Sequence, residues 1–187
     1  GSPSGVFVTL NDETVVAATK VIAATGYETL PEIPKGKYDL ISTWALATVR
    51  QNEGALWPDR PLVWEASDPY LYFRSTADNR IVVGGEDASF SNPDMRNALT
   101  AKKVQRILKK FGKIWPEANL APDYTWSGTF AESPTGLPVI GPVDEVPNLF
   151  AILGAGGNGI TFSVIAADLA KAWIAGRGHK SAPIFQA

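Results

Sequence analysis

Six consecutive residues, Gly154-Ala155-Gly156-Gly157-Asn158-Gly159, join an apolar strand-like run (148–153) to an apolar helix-like run (160–175). Glycine carries no side chain, so a backbone rich in it can lie close to a ligand. The helix that follows directs its unpaired N–H groups and the positive end of its dipole into the loop. Such a place suits an anionic or electron-rich group. Whatever the chain folds into must therefore contain a strand, a tight glycine turn and a helix near its C-terminal end.

The loop also fits the pattern G-x-G-x-x-G at Gly154, Gly156 and Gly159. A dinucleotide fingerprint needs a second strand after the helix and an acidic residue about 20 positions on. Here the helix pattern ends at Gly176, and the tail 177–187 contains neither Asp nor Glu. That version fails. Asn158-Gly159-Ile160-Thr161 also lacks the Lys of a phosphate-binding P-loop.

With 187 residues, 45% of them hydrophobic, the chain can bury a core for one domain or one and a half. Its 17 basic and 19 acidic residues leave a net charge of −2 with no basic block, so no nucleic-acid partner is expected. The lack of Cys excludes disulfides, zinc–thiolate centres and thiol nucleophiles. A single His, His179, lies in the polar tail and reads as solvated; no metal site is expected. The longest apolar run, 160–175, is interrupted by Asp168 and Lys171. No membrane association is expected, and the location read from the sequence is cytoplasmic.

Residues 6–10 and 14–17 flank Asn11-Asp12 and read as a hairpin. The run 20–24, ending at Thr25-Gly26, is uniformly apolar and reads as a strand covered on both faces. Pro31, Pro34 and Gly36 mark a crossing between layers. Strands are expected at 40–49, 61–65, 70–75 and 80–84, with a hairpin turn at Ala77-Asp78-Asn79. Asn92-Pro93 opens a helix over 93–112, with Met95, Leu99, Val104, Leu108 and Phe111 as its core stripe. Lys102, Lys103, Arg106, Lys109 and Lys110 read as its solvated face. A further strand is expected at 124–130, then a turn-rich stretch at 134–142. The segments that look like parts of a large α/β sheet lie at the two ends, with an antiparallel block between them. A chain organised this way looks like a piece of something longer.

Four stretches in order carry a family resemblance. Val21-Ile-Ala-Ala-Thr25-Gly26 resembles a strand and turn passing the nucleotide part of FAD. Tyr72-Phe-Arg-Ser-Thr-Ala-Asp-Asn-Arg-Ile-Val-Val-Gly84-Gly85 is similar to a substrate-domain hairpin. Trp126-Ser-Gly128 with Gly136-Leu-Pro138-Val-Ile-Gly141 resembles the return to the FAD domain. Leu153-Gly-Ala-Gly-Gly-Asn-Gly-Ile-Thr-Phe-Ser163 resembles the loop and helix that meet the flavin ring. Together they resemble the C-terminal half of FAD-dependent oxidoreductases of the D-amino-acid oxidase, glycine oxidase and sarcosine oxidase superfamily.

The resemblance implies a mixed α+β and α/β fold: an antiparallel-sheet substrate domain at 35–133, with FAD-domain segments at 1–34 and 134–187. It implies oxidation of an amine C–H by hydride transfer to FAD, giving an imine. Its cofactor contacts map to Thr25, Gly26, Ile140, Gly141, Gly154, Gly156, Gly157, Asn158, Gly159, Ile160 and Thr161. The Rossmann half of that family has no counterpart here, so the missing N-terminal FAD-binding half is the expected partner and the isolated chain is expected to be inactive. Arg74 and Glu132 are candidates for the catalytic site, and Trp44, Trp64 and Trp126 for a cage around a cationic amine.

The departures matter as well. Members that oxidise free amino acids have an Arg after the Trp-x-Gly stretch, whose fork grips the substrate carboxylate. This chain has Thr129-Phe130-Ala131-Glu132. Sarcosine-oxidase-like members have a Lys where Thr161 stands and a flavin-linking Cys near Gly128; neither is present. Non-covalent FAD follows, with an amine or elongated amino compound as substrate. The alternatives are a dehydrogenase passing electrons to a quinone or protein, and a non-catalytic subunit of a heteromeric flavoprotein.

Overall fold

The computed structural model describes residues 5–28, 30, 31, 33 and 36–185. Pro34, part of the expected crossing, lies outside them. The chain divides into two compact units, one formed by 1–40 with 130–187, the other by 41–129.

In the first unit, β1 (Val6–Thr9) and β2 (Val15–Ala18) form the expected antiparallel hairpin. Its turn closes through Glu13, at φ +67°. A three-stranded sheet follows in the order β3 (Val21–Gly26), β10 (Leu149–Leu153), β9 (Val139–Pro142). β3 runs parallel to β10, while β9 is antiparallel to it. β10 is covered on both faces. Phe150 joins Ile140, Ala166, Leu169 and Ala170 beneath α3 (Gly159–Ile174), while Leu149, Ala151 and Leu153 pack with Ala23 and Ile33 on the other side.

β3 departs from the expectation. Ala23 is 3% exposed but Ile22 is 40% exposed, so the strand is buried on one face only. As an edge strand it has a sheet neighbour on one side, and α3 reaches β9 and β10 without closing over it. The tail also holds more than was read from it. A short helix, α4 (Ala182–Phe185), inserts Phe185 into the α3 core, where it meets Phe162 edge-on at 6.2 Å. Lys20 donates to the carbonyls of Trp173 and Ile174 at 2.7 and 3.0 Å, placing a cation at the negative end of α3.

The second unit is a five-stranded sheet, ordered β5 (Val63–Trp64), β6 (Leu71–Ser75), β7 (Ile81–Ala88), β4 (Asp39–Thr48), β8 (Pro122–Glu132). The predicted β6–β7 hairpin is present, turning at Asn79 with φ +64°. Strand alternation sorts its side chains. Cross-strand partners Val63, Phe73, Val83 and Leu46 share one face with Leu71 and Trp44. That face packs on Val104, Ile107 and Phe111. Full burial of side chains of this size contributes about 1.5–3 kcal/mol each. Trp44 is 0% exposed and donates its indole N–H to the Arg96 carbonyl, so it belongs to the core and cannot line a ligand cage.

Two helices stand where one was expected. Asn92 caps α1 (Pro93–Ala98) by accepting from the Met95 N–H at 2.9 Å, as the Asn-Pro pair predicts. Leu99 interrupts the run before α2 (Thr100–Ile114), and the break turns Met95 out to 53% exposure. Ile107, left out of the expected stripe, is fully buried instead.

The basic face of α2 is not simply solvated. Glu86 follows the Gly84-Gly85 pair in β7 and adopts φ +60°, which sends its carboxylate toward α2. There it pairs with Lys103 at 3.7 Å, Arg106 at 3.6 Å and Lys110. Burial raises the Glu86 pKa, but the three cations outweigh it and hold the group below the usual carboxylate value. Lys103 sits 4.5 Å above the Trp44 ring, and its pKa is lowered by burial despite the Glu86 charge.

On the opposite face, Trp64, Tyr72, Gly84 and Ala45 are successive cross-strand partners. A Cβ added at Gly84 would lie 2.2 Å from the Tyr72 hydroxyl oxygen. Gly84→Ala is therefore expected to destabilise the protein by about 1–3 kcal/mol through overpacking, read as a lower thermal midpoint with an altered near-ultraviolet aromatic signal. An unchanged midpoint would mean that Tyr72 does not hold this position.

Candidate functional site

Parallel strands end their chains at the same edge of a sheet, and the loops leaving that edge form binding crevices. β3 and β10 do this together, since Gly26 is the register partner of Leu153. Thr25 and Gly26 therefore lie beside the start of the glycine loop, although more than a hundred residues separate them in sequence. Tyr27 extends the junction. Its hydroxyl points at the Gly156 carbonyl, 3.5 Å away, and its pKa is raised by burial against the opposing effect of a hydrogen bond with the Ala131 backbone.

The glycines of the loop are not equivalent. Gly154 has φ +66°, and a Cβ there would meet the Tyr38 ring at 3.1 Å. Gly156 has φ +58°, with the Ala131 carbonyl 3.4 Å from its missing Cβ. Both are required by the chain's own folding. At Gly157 a Cβ would meet nothing within 4 Å, and at Gly159 only Ala155 at 3.8 Å. Neither has a positive φ. Their small size is not explained by any neighbour among the described residues, which leaves room for a close approach from outside.

A short 3-10 turn, Gly156–Asn158, leads into α3. No side chain caps either helix: Asn158 occupies the cap position of α3 without a hydrogen bond from its side chain. α1, in contrast, is closed by Asn92. Gly157, Asn158, Ile160 and Thr161 are all exposed, Ile160 at 89%. The opening turn of α3 thus presents backbone donors that the Asn158 side chain does not cap, at an accessible position.

Ile140 and Gly141 stand differently. Ile140 is 1% exposed, packed under α3, so its side chain cannot touch a cofactor. Gly141 is buried and lines a cavity of about 240 Å³ with Lys37, Asp144 and Phe185. Glu132 is exposed at the end of β8.

In the second unit, Arg74 shares the face of Tyr72 and Trp64, is exposed and forms no ion pair among the described residues. Trp64 is 59% exposed and Trp126 45%. The Tyr72 pKa is raised by burial and by the Asp87 charge, against a hydrogen bond from Thr43. Sequence reading passed over Tyr27 and Tyr38. The one available signal for Tyr27 was its position directly after Thr25-Gly26. None of the described residues forms a cluster able to hold a metal ion, and no described helix is long and apolar enough to cross a membrane.

Comparison with known proteins adds to this geometry. The family model described as FAD dependent oxidoreductase matches residues 2–173. A gamma-glutamylputrescine oxidoreductase of Escherichia coli (strain K12) is 28% identical over 162 residues, 83% of this chain and 36% of that protein. The tRNA 5-methylaminomethyl-2-thiouridine biosynthesis bifunctional protein MnmC of Delftia acidovorans (strain DSM 14801 / SPH-1) is 29% identical over 123 residues, 64% of this chain and 18% of that one. Among solved structures, glycine oxidase from Geobacillus kaustophilus superposes with a TM-score of 0.74 at 19% identity, over 98% of this chain and 48% of that chain. This chain thus spans about half or less of each of these proteins.

Proposed function

Because the chain belongs to the FAD dependent oxidoreductase family, we propose that it is the C-terminal portion of a flavoenzyme oxidising an amine or an elongated amino compound. The observation that carries the reading is the pair Gly157 and Gly159, whose missing side chains open space at an uncapped helix start. When bound there, FAD would supply the two-electron acceptor for oxidation of an amine C–H to an imine, which water then hydrolyses. The backbone N–H groups of Asn158, Gly159 and Ile160 would face its electron-rich edge. Preorganised donors of this kind stabilise developing negative charge without reorganising, and the α3 dipole adds to them. Thr25 and Gly26 would lie near the nucleotide part. At Gly141 and Ile140 the backbone alone would be available.

This chain offers no Cys to link the flavin, which favours non-covalent binding. With Thr129-Phe130-Ala131-Glu132 in place of an Arg, this half contributes no fork for an α-carboxylate at that position. That favours an amine or elongated amino compound over a simple α-amino acid.

The surface of the first unit supports a missing N-terminal half as partner. α3 has a single Asp and a single Lys among its 16 residues, a composition typical of a helix buried all round. Yet Ile160 is 89%, Val164 65% and Ile174 54% exposed, and β3 is an edge strand of its sheet among the described residues. An apolar face of this kind marks an interaction site, and further strands joining β3 would cover it.

Titration with FAD tests the reading. The chain by itself is expected to show no saturable flavin binding in the micromolar range, whereas the full-length protein should purify with one FAD per chain and bleach on addition of an amine substrate. Stoichiometric FAD in the isolated chain would overturn the proposed division of contacts. A full-length protein without flavin would overturn the function.

A further inference from the structure

α2 breaks the local rules of helix electrostatics. Six of the chain's 17 basic residues fall within its 15 residues, and none of the 19 acidic ones. Lys102 and Lys103 stand in its first turn, at the positive end of the dipole, where acids stabilise a helix and cations do not. That turn has neither an acidic residue nor a capping side chain to offset them.

The six cations divide by face. Lys103 and Lys110 are half-buried and turn to Glu86. Lys102, Arg106, Lys109 and Lys113 are all exposed and follow one another at intervals of four, three and four residues. That spacing puts them in a single row on one helix face, roughly 16 Å long at about 1.5 Å per residue. Arg106 also reaches Glu86, at 3.6 Å, but Lys102, Lys109 and Lys113 form no ion pair among the described residues. Along the row each cation has only like-charged neighbours, which destabilises a helix. A helix face that serves solubility alone interleaves acids with its lysines. Here the inner cations are neutralised by the fold and the outer row is left without a counter-charge.

We propose that this row docks an acidic segment of another protein, a run of Asp and Glu side chains about as long as the row itself. Charge complementarity names the partner's chemistry, and the surroundings of the row narrow its kind. Val104, Ile107 and Phe111 are packed on the sheet, so the row offers a bilayer charge alone, without the apolar face by which surface helices insert. Exposed Asp94 precedes the row and exposed Glu117 follows it. An extended anionic plane meets those acids as well as the lysines, whereas a strip-shaped acidic partner does not. A second copy of this chain fits poorly, because its sequence holds no acidic run longer than a pair such as Asp12-Glu13 or Asp144-Glu145. The proposal does not depend on the flavin reading.

Fluorescence anisotropy of a labelled oligoglutamate peptide, about as many residues long as the helical row, tests it with the full-length protein. Oligoglutamine is the uncharged control. The acidic peptide should bind saturably and weaken as salt is added, and oligoglutamine should not bind. The triple variant Lys102→Gln, Lys109→Gln, Lys113→Gln should bind roughly tenfold more weakly, as expected for three exposed charge pairs. Replacing exposed Lys171, Arg177 and Lys180 by Gln instead changes the net charge equally and should leave binding as it was. Because the first triple variant removes like-charged neighbours, its thermal midpoint should stay level or rise. Equal loss in both triple variants would overturn the proposal, as would no binding by the wild type. Tighter binding to phosphatidylserine vesicles or to duplex DNA than to the peptide would overturn it in favour of a membrane or a nucleic acid. A lower midpoint in the first variant would show the row to be compensated within the protein, and would overturn it too.

Discussion

Replacing Gly157 or Gly159 by valine is expected to weaken FAD binding by the full-length protein about 30- to 100-fold, the ~2–3 kcal/mol attached to hydrogen bonds made to a charged group. The reason is specific to these two positions. Neither has a positive φ, and a Cβ at either meets no atom closer than 3.8 Å, so a side chain there strains nothing within the chain itself. It would instead occupy the space from which the α3 amides are reached. The thermal midpoint of the flavin-free protein should therefore stay where it is. Gly154→Ala provides the contrast: with φ +66° and the Tyr38 ring 3.1 Å from the new Cβ, it is expected to lower stability by about 1–3 kcal/mol. Flavin affinity measured by fluorescence quenching, beside thermal unfolding, separates the two effects. Unchanged affinity in both valine variants would remove the principal support for the flavin assignment.

Glu86→Ala is expected to cost about 3 kcal/mol, toward the lower end for breaking a buried ion pair. Glu86 has 7% of its side chain exposed, and Lys103 12%. Removing the carboxylate leaves Lys103 against the Trp44 ring with only the weaker attraction of Asp87, whereas Arg106 and Lys110, at 53% and 39%, are rehydrated more easily. For a protein of this size the loss corresponds to a midpoint roughly 6–12 °C lower. The pH dependence has a definite sign. Because the folded pKa of Glu86 is depressed, its contribution is complete above the ordinary glutamate pKa and is lost as pH falls through the lower, folded value. Wild type and Glu86→Gln should thus differ most at neutral pH and converge in acid. Parallel unfolding curves from pH 7 to pH 3 would show that the cluster contributes no charge-dependent stability.

Much of the local structure was legible along the chain. Alternation at 70–75 and 80–84 and the turn at Asn79 are present as the β6–β7 hairpin. Asn92-Pro93 starts a helix where the cap chemistry says it should. The run before the glycine loop is a strand and the run after it a helix that stops just before Gly176, at φ +66°. Where the reading failed, the deciding interaction came from far away. The apolar pattern of 20–24 is equally compatible with burial on two faces or one, and the number of sheet neighbours decides between them. Leu99 and Gly112 differ in the same way. Of the two stop signals, Gly112 and Trp115-Pro116, the helix runs through the first, where Leu120 lies close, and ends at Ile114 directly before the second, while the break at Leu99 was not signalled.

The candidate site divides along the same line. Backbone chemistry is local, so the glycine loop, its strand and its helix were written in adjacent residues. Its meeting with Thr25, Gly26 and Tyr27 depends on a parallel pairing between segments over a hundred residues apart, which no short-range pattern specifies. Charge behaves likewise. The sequence dictated that α2 carries lysines at helical spacing, but a cation's counter-ion is set by what the fold brings within a few ångströms. Tertiary structure alone turned Lys103, Arg106 and Lys110 onto Glu86 while leaving Glu65, Asp68 and Asp87 beside aromatic rings with no Lys or Arg paired to them among the described residues.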